Sequence, residues 1–495
     1  MPIPFKQIPA NIRVPLFYAE VDPSQANTAV QAQRTLLIGQ ITSAGTLAPN
    51  VPVISQSVAE AKASAGPGSI LAGMTAAYRA NDSFGEVWYL PLADDAGATA
   101  ATGSVLFAGP TTAAGTVYLY IAGQLVSVPL TSGTTAIAAA AAVSAAINAS
   151  TDLPVVAAVD GVTAAKVDLT AKNKGLVGND IDVRVNYRGA AGGETLPAGL
   201  TATVTAMASG AVNPVLTTAL ANLLDVPFDF IVSPFTDAAS IAAISALLGD
   251  ANGRWNWQTQ VYGHCFIAKR GSVGQLGSFG ATVNDQHLSA IGFYDSPSPN
   301  WAWAAAFAGA AAVSLRADPG LPLQTVPVLG LLAPPLASRF SLSQRNTLLY
   351  GGVGTFRVDT AGNIAIENLI TTYQTNALGQ PDNSYLEVET LFLLAYVLRR
   401  MAAVITSKYA RVKLADNGTR VGPGAGIVTP NTIRADLIAM YRQMESEGYV
   451  EGSDAFAAGI VVARNTTNPN RVDVLWPGNL IGQLRVLALL AQFRL

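Results

Sequence analysis

His264 and Cys265 are the neighbours in this 495-residue chain that most resemble a nucleophile with its base. A thiol becomes a useful nucleophile only when a base lies within hydrogen-bond reach. The surrounding stretch YGHCFIAKR reads as a strand, and successive strand side chains point to opposite faces. The two residues are therefore not expected to act together. His287 is the only other histidine, so a multi-histidine metal site is impossible and no HExxH motif occurs. Asp94 and Asp95 carry the right atoms for a cation, yet they follow the strand-like EVWYLPL and read first as a solvated turn. The glycine-rich GGVGTF and GPGAGI runs lack the lysine of a phosphate loop and read as turns that need positive φ. No catalytic, cofactor-binding or metal-binding constellation emerges, so neither an enzyme nor a cofactor is expected.

One cluster of charge remains. Arg399, Arg400, Lys408, Arg411 and Lys413 could meet an acidic partner, or could form a solvated helix face followed by a loop. The rest of the chain is poor in charge: half of it is hydrophobic and 12% is charged, where about 25% is usual. Such a composition fits a surface largely covered by copies of the same chain, and equally an Ala- and Gly-rich monomer. A net charge of −3 argues against general nucleic-acid binding, which needs a basic field. A single cysteine excludes an internal disulfide. The opening MPIPFKQIPANIRVP has no continuous apolar core of a signal peptide. Apolar runs at 137–147 and 301–313 fall short of the ~20 residues of a membrane span, and Arg399 and Arg400 interrupt the run at 388–405. A soluble protein, cytoplasmic when made and not inserted in a membrane, is expected.

The elements that would carry these residues alternate between strand and helix. RTLLIGQ reads as a buried strand, 57–79 as a helix and EVWYLPL as a strand. DFIVSPF and YGHCFIAKR are further strands. Between the last two lies DAASIAAISALLGD, a helix with Asp237 as N-cap and Gly249 as stop. This is the grammar of an α/β layer. It is interrupted over 96–214, where Ala, Thr, Gly and Val dominate and short alternating runs such as TVYLYIAGQLVSVPL indicate a β-rich insertion around one Ala-rich helix. From Ser341 onward come a helix start, a glycine-rich turn, the strands TFRVD and NIAIENL, and a long amphipathic helix over 385–409. A further helix follows, with Thr432 as N-cap and Gly448 as its stop.

The expected fold is therefore a mixed α+β and α/β multidomain chain. It divides into an N-terminal arm (1–22), a discontinuous middle domain (23–95 plus 215–340), the insertion (96–214), a C-terminal domain (341–470) and a terminal strand or arm (471–495).

Both ends are strand-like and punctuated by proline. Residues 1–22, fully extended, would reach at most roughly 70 Å. Each end could add a strand to another copy's sheet, or the two could pair within one subunit. The contact residues expected on the arms are Val14, Leu16, Tyr18 and Val21 at the front, and Val472, Val474, Trp476, Leu484, Val486, Leu489 and Phe493 at the back.

Several long stretches carry a family likeness. They are IPANIRVPLFYAEVDPSQA, ADPGLPLQTVPVLGLLAPP, SQRNTLLYGGVGTFRV, IENLITTYQTNALGQPDNSYLEVET, KLADNGTRVGPGAGIVTPNTIRADLIAMYRQMESEGYVE and NPNRVDVLWPGNLIGQLRVLALLAQFRL. In order and spacing the chain resembles the tail sheath proteins of contractile-tailed bacteriophages, in particular the Mu-like branch, over 1–95 and about 215–495. The resemblance implies a structural virion subunit that stacks as six-subunit discs around a tail tube, exchanging terminal strands with neighbouring copies. The cylinder would contract from a metastable extended state and drive the tube through the host envelope. It implies the tail tube, baseplate and tail terminator proteins as partners, no direct contact with nucleic acid, and assembly in the host cytoplasm. On this reading the basic residues 399–413 face the tube. A sheath of a phage-derived bacteriocin or injection system would read the same way, and a tube or capsid protein remains the structural rival. A cell-wall hydrolase of the tail is the enzymatic rival.

Overall fold

The computed structural model describes residues 33–420, 422 and 426–494. The expectations placed on Val14, Leu16, Tyr18 and Val21 lie outside the described residues, as does part of the GPGAGI run.

A six-stranded sheet forms the centre, in the order Leu288–Phe293, His264–Arg270, Phe230–Val232, Thr35–Gln40, Val87–Leu92, Val53–Ile54. The first five strands run parallel and the short sixth antiparallel. Thr35–Gln40 and Leu288–Phe293 are buried at every position, as parallel strands covered on both faces must be. Beside the sheet runs the helix Asn300–Ala317, whose alanines and aromatic residues are almost all buried. Trp303 stacks on Phe293 with ring centroids 4.7 Å apart. The 301–313 run is thus a core helix, and no helix among the described residues is long and apolar enough to cross a membrane.

The stretch 57–79 is two helices rather than one, Val58–Ala65 and Ile70–Arg79. Pro67 lies between Gly66 and Gly68, whose φ angles are 91° and 75°, so the helix cannot continue. Gly68 also has no room for a side chain: a Cβ there would stand 2.2 Å from the carbonyl oxygen of Leu153 in the insertion. Asp237 caps Ala238–Leu248 as expected, accepting from the Ser240 N–H.

Residues 100–208 hold two sheets and a helix. One sheet orders Thr201–Ala208, Ala100–Ala108, Lys166–Lys174, Val155–Val159, and the other Gln124–Leu130, Gly115–Ile121, Val183–Val185. Ala122 and Gly123 turn the second hairpin with positive φ at both positions, the geometry that matches the twist of the flanking strands. The apolar interior of these sheets is continuous with that of the central sheet.

The remainder builds on Leu342–Tyr350, capped by a reciprocal Ser341–Gln344 box, and on an antiparallel sheet of Pro327–Val328, Ile364–Asn368 and Thr355–Val358. The long helix Val388–Tyr409 leads to a second apolar cluster, centred on Tyr441, Met444 and Phe456. The helix in this cluster is Pro430–Ser446, and its N-cap is Thr429 rather than Thr432. Proline has no N–H to leave unsatisfied and its fixed φ suits the first helical position, which moves the start back to Pro430. Gly448, at φ 83°, follows its end as expected.

Candidate subunit–subunit surface

The residues most suited to chemistry are structural. His264 is fully buried and its Nε2 lies 2.8 Å from Ser289 Oγ. Burial holds its imidazole well below the usual histidine range, with His287 adding to the effect. Burial likewise pushes the Cys265 thiol up, away from the thiolate a nucleophile needs. His287 donates to Asp250 Oδ1 at 2.8 Å and stacks on Trp255 at 4.7 Å. That hydrogen bond lowers the Asp250 carboxyl. Among the described residues no group of three potential ligands could hold a metal ion.

Asp94 is a joint rather than a solvated turn. Its carboxylate accepts from Gln40 Nε2 at 2.6 Å, Asn173 Nδ2 at 3.1 Å and the Lys174 N–H at 2.9 Å. It therefore ties the central sheet to the insertion. The Asp95 carboxylate accepts the nearby Gly97 N–H at 2.8 Å.

The basic cluster divides. Arg399 points inward and pairs with Asp229, a carboxylate whose side chain is 4% exposed. Arg400 pairs with Glu447 through Nη2 at 2.9 Å, and Lys408 reaches Asp436 at 3.2 Å. Arg411 and Lys413 are exposed. Lys408 is exposed too but has a carboxylate partner, whereas no ion pair is formed by Arg411 or Lys413 among the described residues.

The closing segment divides as well. Val472–Leu475 pairs antiparallel with Val461–Arg464, setting Val472 opposite Arg464 and Val474 opposite Val462. Trp476 packs on Phe456 and Tyr441 of its own chain, at 5.7 and 5.8 Å. Asn479–Leu480 pairs with Val450–Glu451, and the Ile481 N–H bonds to Tyr449 O at 3.1 Å. Beyond Arg485 every described residue is exposed. Leu484, Val486, Leu487, Leu489, Leu490 and Phe493 are each at least 67% exposed, and 486–494 form no strand or helix. Lone exposed apolar residues are ordinary, but a contiguous run of them marks an interaction surface. The hairpin Val461–Arg464 with Val472–Leu475 is a two-stranded sheet, so among the described residues its outer edges carry no further strand.

Sequence reasoning missed Arg485, which pairs with Glu387 and with Glu389, both at 2.9 Å. Glu389 is completely buried. The available signal was one of only two charges, with Arg494, in an otherwise largely apolar stretch after Asp473.

The comparisons with known proteins agree along the chain. The family described as phage tail sheath protein central domain matches residues 209–372, and that described as phage tail sheath C-terminal domain matches 380–494. The Mu-like prophage FluMu tail sheath protein of Haemophilus influenzae is 40% identical over 495 residues, covering 100% of both chains. Among solved structures, a sheath tail protein from Desulfitobacterium hafniense is similar over 95% of this chain and 97% of its own, at 12% identity and a TM-score of 0.47. The helical sheath of the anti-feeding prophage in its contracted state is similar over 98% and 99%, at 11% identity and a TM-score of 0.46. By its matched domains and its full-length relative, the chain belongs to the phage tail sheath family and is a structural protein of a contractile phage tail, not an enzyme.

Proposed function

We propose that this chain polymerises as stacked six-subunit discs around a tail tube, that its terminal segments complete sheets in neighbouring copies, and that the cylinder contracts to drive the tube through the host envelope. Its partners are further copies, the tail tube, the baseplate and a tail terminator. It assembles in the host cytoplasm and ends in the virion. The insertion at 96–214 is read as an outer module, and Arg411 and Lys413 are the tube-facing charges best placed to act.

The observation that carries this reading is the bare apolar run after residue 485. Val486, Leu487, Leu489, Leu490 and Phe493 are each at least 75% exposed. Burying side chains of this kind contributes about 1.5–3 kcal/mol each, so covering all five in a neighbour would yield on the order of 10 kcal/mol before ordering costs. An extended segment with unpaired N–H and C=O groups is completed by adding to a sheet edge, and the C-terminal hairpin offers such an edge. Contraction needs no cofactor on this view. Subunits turn as rigid bodies about the arms, and a barrier holds the extended lattice above a lower state.

Deletion of residues 486–495 tests it. The cut belongs after Arg485, since removing that residue would leave the buried Glu389 without its cation. The expected product is a folded subunit with an unchanged circular dichroism spectrum that builds no long tubes. Ordinary ridged cylinders in negative-stain micrographs of the deletion would end the strand-exchange reading.

A further inference from the structure

We infer that Arg485, clamped between Glu387 and Glu389, is the fixed pivot from which the C-terminal arm leaves the subunit. The inference rests on the arm reading above and goes further, placing the hinge at the bond between Arg485 and Val486. The expected arm of 471–495 would then begin fifteen residues later than its first residue.

The tail is held in three ways up to this point. Gln483 Nε2 donates to Gly320 O at 3.4 Å, and Gln324 Nε2 donates to Leu484 O at 3.1 Å. The Arg485 guanidinium then enters a recess at the start of the helix Val388–Tyr409. Its Nη2 reaches Glu387 and Glu389 and also donates to Gln483 Oε1 at 2.6 Å. Glu389 is itself fixed, since its Oε1 accepts the Leu323 N–H at 2.7 Å. Two carboxylates at a helix N-terminus lie where the helix dipole favours negative charge, and one arginine answers both. Its Nε and Nη1 are buried with no hydrogen-bond partner, so the side chain is held by charge and enclosure rather than by a full set of bonds.

Leu484 is already 67% exposed although its carbonyl is held, and after Arg485 no described residue is enclosed. The Arg485 side chain is 18% exposed, while Val486 is 81% exposed. A clamp on the last enclosed residue defines where the arm can bend. It also lets the subunit turn against its neighbour without drawing residues 481–485 out of their own fold.

Trypsin reads this clamp on the full-length chain at low concentration, without any assembly. An enclosed arginine is cut only from its opened state, at a rate that follows the open population. The exposed stretch at Arg411 and Lys413 serves as the internal control. Glu387→Gln with Glu389→Gln removes both negative charges yet keeps an oxygen for the Leu323 N–H. Cutting after Arg485 should then rise at least about tenfold relative to the control. Glu387→Gln alone should give a smaller rise and covers the case in which the double variant fails to fold. Unchanged cutting after Arg485 in the folded variants would overturn the pivot while leaving the arm reading standing. Faster cutting together with normal tubes from the 486–495 deletion would establish the clamp and remove the arm reading.

Discussion

Replacing Arg399 by methionine would keep most of the side chain's length and remove its charge, leaving the buried Asp229 without its ion-pair partner and with only the more distant charges of Arg316 and Arg254. Asp229 also anchors the start of the central sheet, because its N–H bonds to Arg34 O at 2.9 Å. At an effective dielectric of ~20, two unit charges ~4 Å apart attract by about 4 kcal/mol. Removing one partner of a buried pair costs about 3–5 kcal/mol. Arg399 also donates to Val261 O at 3.2 Å and lies 5.3 Å from the Tyr262 ring centre, so the loss should fall in the upper part of that range.

The pH dependence has a definite sign. Burial raises the Asp229 carboxyl above the ordinary carboxylate range, and Arg399 opposes the rise. Without Arg399 the folded state holds the Asp229 proton more tightly still. Stability then falls as pH rises from the ordinary value, about 4, through the raised one, because the folded state binds more protons in that window. The deficit of Arg399→Met against the natural chain should therefore be largest at neutral pH and shrink toward the ordinary carboxylate value. Urea unfolding of the dilute chain at several pH values measures it. Adding Asp229→Asn removes the stranded charge and should restore at least about 1 kcal/mol. A loss below about 1 kcal/mol that does not vary with pH would refute the reasoning. So would a defect seen only in tube association, which would return Arg399 to the tube-facing surface.

Two further outcomes separate fold from assembly. Trp476→Ala should cost about 2–3 kcal/mol in the dilute subunit, below the usual range for a fully buried tryptophan because this one is half-buried; equal melting temperatures of the two chains would place the residue at a neighbour instead. Reversing charge at Arg411 and Lys413 should leave subunit stability within about 0.5 kcal/mol and weaken co-sedimentation with tail tubes most strongly at low salt. Co-sedimentation unaffected at low salt would exclude the tube-facing role.

How much of this was legible depended on how local the cause was. RTLLIGQ declared itself as a buried strand and EVWYLPL as a strand because each residue's environment repeats along the run. Asp237 and Gly249 marked a helix correctly because a cap acts within one turn. The break at Gly66, Pro67 and Gly68 was equally local but was hidden by the helical periodicity on either side. The composition of 96–214 set that stretch apart, yet its attachments to the rest of the chain left no mark in the sequence. The Asp94 bond to Lys174 and the Asn173 bond to the Ile70 N–H join residues 80 and 103 positions apart. Nothing near Asp229 or Glu389 in sequence foretells the arginine that each one meets.

The closing segment shows the same limit more sharply. Val474, Trp476, Val486 and Leu489 are equally apolar and equally strand-like in sequence, and one expectation covered them all. The fold separates them by what lies opposite: Val462 for Val474 and the Phe456 ring for Trp476. Among the described residues nothing comparable lies opposite Val486 or Leu489, which are 81% and 83% exposed. A chain with 12% charged residues that turns several of them inward, as at Asp229, Glu389 and Asp82, has little polar surface left to keep such a run in water. Composition alone allowed both a monomer and a self-covering assembly. The inward-facing charges and the bare run after Arg485 together favour the assembly, in which another copy supplies the strand and the apolar cover that this one lacks.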